Sequence, residues 1–283
     1  MHKLSHTEDL PCDAALGFLA VLLMVPIAAL AQTNPFDGLN ARGRAYLDAS
    51  VYAQQKAQWL ARVDAMPENV DVLEGAAEFF MPFDRPLAQD LFQRARDLEP
   101  TNPKWVQKLA FLHRLNASSG DAAEARLALS LAERAYAMDP SQSSALTDLP
   151  AMAFDAGDMT KARTYAEQLL TEVGSDRSQW NYGDAVHKGN LILGRIAVRE
   201  GRLAEAVTFL RASGDTPGSG VLNSFGPNMS LAKDLLERGE VEAVLNYFES
   251  CRLFWKMGGA RLDAWSKDVQ AGNIPNFGAN LRY

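Results

Sequence analysis

From residue 32 onward apolar residues recur three and four positions apart, and no stretch alternates β-branched and polar residues as a half-buried strand would. The pattern predicts helices throughout the remainder of the chain. Breakers divide them at Met66-Pro67, Pro82 to Pro86, Pro100, Asn116 to Asp121, Pro140, Ala156-Gly157-Asp158, Glu200-Gly201-Arg202 and Arg238-Gly239-Glu240. Proline stops a helix because its ring excludes the hydrogen bond the next turn needs, and glycine ends one by turning the chain where other residues are strained.

Between the breakers the helices repeat a motif of small, bulky and small residues. The clearest unit is 69–100, with Gly75, Ala76 and Phe79 on its first helix and Ala88, Phe92 and Ala95 on its second, closed by Pro100. The small residues let two backbones approach, and the aromatic rings fill the space they leave. A second unit, Pro103 to Pro140, carries Leu109, Ala110, Ala128, Ala132 and Ala135. A third, from about Ser143, has Ala162 and Ala166, with Pro150 placed to kink or shorten its first helix. A fourth has Leu193-Gly194 and Ala206, and a fifth Leu231-Ala232, Val244, Phe248 and Cys251.

This arrangement resembles the tetratricopeptide repeat family, whose unit is a helix-turn-helix of about 34 residues. The resemblance implies an all-α solenoid of antiparallel helix pairs over residues 69–252, about five repeats with an insertion at 171–186. Residues 32–68 would form an N-terminal capping helix and 253–283 an aromatic-rich C-terminal cap, because a terminal repeat must cover its open face. Three stretches of the last third, 216–219, 222–228 and 274–281, also resemble uncharacterised bacterial proteins of this repeat type. They bring no activity with them.

The N-terminal end is different. Residues 14–31 carry no charge and close on Ala29-Leu30-Ala31, which predicts a signal peptide cleaved before Gln32 and a periplasmic or secreted protein. Against this, Glu8, Asp9 and Asp13 make the leading segment acidic. The alternative is an uncleaved membrane anchor at 14–31, which Pro26 interrupts. Cys12 would leave with the signal, so Cys251 has no partner for a disulfide and reads as a small core residue.

The net charge of −7 argues against nucleic acid as a partner. The four histidines, His2, His6, His113 and His187, are scattered, and no His/Cys group has zinc spacing. His113 falls on a packed first-helix position. Thr216 to Gly220 lacks the Gly-Lys-Ser/Thr ending of a phosphate loop and reads as a linker. No catalytic residue, cofactor or metal is therefore expected. Trp180, Tyr182 and Asp184 form an aromatic-polar cluster in the insertion, placed either to pack or to bind.

In the repeat family the first helices line a groove. Carried over by register, the groove positions include Phe80, Gln107, Phe111, Arg114, Lys188, Leu191, Arg195, Met229 and Lys233. Phe80, Phe111, Leu191 and Met229 would anchor a partner, and the bases would read its acidic groups unless neighbouring acids already pair with them. Leu73 and Ala77 stand where a carboxylate clamp would need polar residues. The resemblance thus implies a non-catalytic scaffold for an acidic protein or peptide segment with apolar anchors. The alternative is an accessory or regulatory subunit of an envelope enzyme complex.

Overall fold

The computed structural model describes residues 49–117, 120–140 and 143–281. The signal or anchor segment and the start of the capping helix lie outside the described residues. The chain divides into two compact units, Met1–Ala53 and Gln54–Tyr283, and the apolar core lies in the second.

Every regular element among the described residues is helical. In chain order they are α1 (Ala49–Ala65), α2 (Val70–Phe80), α3 (Arg85–Leu98), α4 (Pro103–Ala117), α5 (Ala122–Met138), α6 (Ser143–Asp155), α7 (Met159–Val173), α8 (Tyr182–Arg199), α9 (Leu203–Gly214), α10 (Gly220–Phe225), α11 (Ser230–Leu236), α12 (Val241–Phe254) and α13 (Gly259–Gln270). Short 3-10 turns occupy Lys256–Gly258 and Gly278–Leu281.

The breaker residues explain these boundaries. Asn69, Asp84, Asp121 and Asp158 each stand one residue before a helix and accept a hydrogen bond from its first turn. Those backbone N–H groups have no partner within the helix, so the cap supplies one. Gly157, Gly201 and Gly239 turn with positive φ, where a Cβ would be strained. Pro150 does not shorten α6, which continues through it to Asp155.

Successive helices from α2 to α9 pack on one another, and α6 also packs on α8, α8 on α11, and α9 on α12. Ala88, Ala128, Ala162 and Ala206 are buried where the helices meet. Gly75 lies against Trp59, whose ring is 2.6 Å from where a Cβ would stand, and a Cβ on Gly194 would run into the Leu231 side chain. α8 is buried on nearly every side because it contributes to two apolar cores. One runs from Ala110 to Ile196 and the other from Leu191 to Phe277. Phe248, Trp265 and Phe277 make mutual ring contacts in the latter, and Trp255 packs on Trp265.

The segment 171–186 is less of an insertion than its polarity suggests. α7 runs to Val173 and α8 starts at Tyr182, so only 174–181 lies outside the helices. Tyr182 is buried and Trp180 is exposed. Thr216 to Gly220 is the linker into α10, and it is packed. Thr216 and Ser219 are buried, and Gly183 lies so close to the Gly218 carbonyl that no side chain fits between them.

Candidate functional site

The predicted groove positions lie on α2, α4, α8 and α11, or at their ends, with α6 between α4 and α8 in this series. Ion pairs join these elements in succession. Lys104 of α4 reaches Glu74 of α2 at 2.5 Å, and Lys108 pairs with Glu78 and Glu74. Arg114 lies 3.6 Å from Asp155 of α6. Lys188 of α8 donates to Asp148 of α6 at 2.8 Å, and Arg195 donates to Asp234 of α11 at 2.8 Å. Lys233 pairs within its own helix with Glu237. Burial would raise the Asp148 carboxyl, but Lys188 and Arg114 beside it outweigh that and hold it below its ordinary value.

Of the two readings of these bases, the structure shows the one in which acids of the chain already pair with them. Lys104, Arg114, Lys188, Arg195 and Lys233 each face a carboxylate from this same chain. The local charge is nearly cancelled, so the face has little excess field to steer an acidic partner. Arg199, one turn beyond Arg195, feels the same Asp234 and Asp155 carboxylates and also lies over a ring. Its guanidinium lies 3.9 Å from the Phe154 ring centroid, and Arg195 shares the same ring at 4.4 Å. Arg199 also donates to the thioether of Met159.

The apolar anchors need a correction. Phe80, Leu191 and Met229 are all buried. Phe80 packs edge-on against Phe79. Leu191 and Met229 belong to the second core, and the Met229 N–H donates to the Asn280 carbonyl at 2.6 Å. These three side chains are already covered by the chain itself and offer no surface. Phe111 is the remaining anchor, 41% exposed on α4. Gln107 and Arg114, four residues before it and three after, share its stripe and are half-buried.

A second constellation escapes the linear pattern. The stretches 216–219 and 222–228 are each tied to α8, and 274–281 is tied to 222–228. The Asn228 N–H donates to His187 Nε2 and His187 Nδ1 meets the Ser213 carbonyl. Ser219 donates to Asp184, and the Asn280 amide donates to the carbonyls of Phe225 and Pro227. The signal in the sequence is compositional: three Gly- and Pro-bearing stretches, two of them also carrying Asn, that need polar partners once buried.

Neither constellation presents an activated group. Burial lowers the His187 pKa to about 4, and both ring nitrogens are engaged with backbone. Burial pushes the Cys251 thiol well above its ordinary range, which keeps it in the unreactive form. His113 is buried with Nδ1 2.6 Å from Glu124. Among the described residues no cluster of His, Cys, Asp and Glu could hold a metal, and no helix is long and apolar enough to cross a membrane. No family model matches the chain, and no curated protein matches it.

Proposed function

We propose that the chain is a tetratricopeptide-type scaffold, a solenoid of helix pairs whose first helices present a binding face to a protein segment, and that it is non-catalytic. The observation that carries the reading is the packing order: α6 on α8 on α11, and α9 on α12. Helices two or three apart in the chain order pack as neighbours, which is how stacked hairpins build a continuous face. The buried alanines and the positive-φ turn glycines support the same architecture.

Phe111, Gln107 and Arg114 are the centre of the proposed site. An extended or helical segment would seat an apolar side chain on Phe111. Its acidic groups would bind Arg114 only by competing with Asp155, and Arg195 only by competing with Asp234. Affinity therefore rests on the apolar contact more than on charge. Export through residues 14–31 is part of the proposal, with N-terminal sequencing as its check: a start at Gln32 supports it and an intact Met1 in the cytosol overturns it.

The test is paired. Once a partner is captured from the envelope fraction, Phe111→Ala should speed its release, while Arg195→Glu with Lys233→Glu should change binding little. Release unchanged by Phe111→Ala would remove the face from consideration.

A further inference from the structure

Four large apolar side chains stand in solvent on two segments that pack together. Val221 is 46% exposed and Phe225 66% on α10; Leu253 is 73% exposed near the end of α12, and Met257 is 82% exposed in the turn Lys256–Gly258. α10 packs on that turn. Their exposure does not come from a loose loop. Ser219 caps α10, Asn280 ties down the carbonyls of Phe225 and Pro227, and Trp255 is buried beneath. Gly226 and Gly258 both lie flat against the Trp255 indole, so close that a Cβ on either would collide with it. The core below is filled, while Leu253 and Met257 are held outward.

The charge of the same region is unlike the rest of the chain. No carboxylate occurs between Asp215 and Asp234, or between Glu249 and Asp263, in a protein of net charge −7. Those two stretches contain Lys233, Arg252, Lys256 and Arg261. The carboxylates at the border are occupied: Asp184 by Ser219, Asp215 by Arg177, and Glu249 and Asp263 by Arg252. Lys256 thus sits among the exposed apolar side chains with no acid in either stretch.

We propose that this ridge docks the protein on an anionic lipid bilayer. Met257, Leu253 and Val221 enter the headgroup boundary, and Lys256 meets the lipid phosphates. Exposed apolar side chains flanked by a cation, with the bordering carboxylates already paired, are what an interfacial site uses. The acyl boundary closes around each chain, and the charge reads the anionic leaflet. A protein partner would need a matching pocket for a side chain as exposed as Met257. This docking is independent of the groove around Phe111.

The experiment uses the full chain carrying Cys12→Ser, with an environment-sensitive fluorophore on Met257→Cys; the buried Cys251 stays unlabelled. A second chain carries the fluorophore on Leu127→Cys of α5, a residue also exposed. Vesicles of phosphatidylcholine with phosphatidylserine should shift the emission at 257 to the blue and raise it several-fold. Pure phosphatidylcholine should do much less, Lys256→Glu should remove the difference, and the label at 127 should stay silent. Phe111→Ala should leave all of this unchanged. Thermal melting by circular dichroism checks that each labelled chain is folded. Hydrogen exchange of the unlabelled chain, slowed by anionic vesicles at 220–226 and 253–258, gives the same answer without a substitution. Silence at 257, equal response at 127, or equal response to neutral vesicles would overturn the proposal. A shift at 257 produced only by envelope proteins would replace the bilayer with a protein contact.

Discussion

The backbone N–H of Asn228 donates to Nε2 of His187 at 3.0 Å, which ties the loop before α11 to α8 across 41 residues. Because Nε2 accepts, the ring proton is on Nδ1, and it points at the Ser213 carbonyl 3.1 Å away. Only the neutral ring satisfies both partners.

That geometry makes stability depend on pH. Unfolded, His187 titrates near 6.5; folded, burial depresses its pKa to about 4. The unfolded chain therefore takes up a proton first as pH falls. The contribution is complete above about 6.5, shrinks through the interval, and is gone near 4. The span corresponds to about 3 kcal/mol. Denaturant midpoints measured from pH 7 to 4 should fall more steeply for the parent than for His187→Gln. Parallel curves would contradict the assignment.

Packing at the helix contacts gives a second expectation. Ala162 is fully buried, and Leu at this position should overpack α7 and lower stability by about 1–3 kcal/mol. Gly194→Ala should do likewise, since its Cβ would collide with Leu231 and stand 3.1 Å from Phe209 Cβ. Gly201→Ala meets no atom, but its φ of +76° should cost about 1–2 kcal/mol by backbone strain alone. Urea denaturation of the three variants separates the two mechanisms; a neutral midpoint for Ala162→Leu counts against the packing.

Cys251 should be inert in the folded protein. It is fully buried, and burial raises its thiol pKa. A thiol reagent should label it only on unfolding, so the labelling rate should rise together with the denatured fraction. Rapid labelling under native conditions would show that α12 opens locally.

The ion pairs of the groove face should each be weak. Lys188 and Asp148 are both partly exposed, and a double-mutant cycle on them should give a coupling below about 1 kcal/mol. A much larger value would mean that the pair is shielded from solvent and organises α6 against α8.

The helices and their contacts are legible in the sequence because small residues and breakers recur in the linear pattern. Ala88, Ala128, Ala162 and Ala206 stand out as close-approach positions without knowledge of their neighbours. The surface is not legible in the same way. Register puts Phe80, Leu191 and Met229 on a helix face or end, but whether they are open depends on what folds over them. For Leu191 and Met229 that cover comes from the second core and the Asn280 loop, far away in sequence. The bases stay open in the sequence for a related reason. Glu74, Asp148, Asp155 and Asp234 lie on other helices, so their pairing emerges only once the helices are side by side. Phe111 alone of the four stays exposed, between half-buried neighbours on its stripe.

The claim that the α4 face binds a partner is tested most directly by photo-crosslinking. A photoreactive residue placed at 111, and in a matched chain at 127 on α5, is irradiated in the native cells. A discrete adduct at 111, absent at 127 and suppressed by Gln107→Ala with Arg114→Ala, is the expected result. No adduct at 111, or the same adduct at both positions, would contradict the assignment of that face as the binding site.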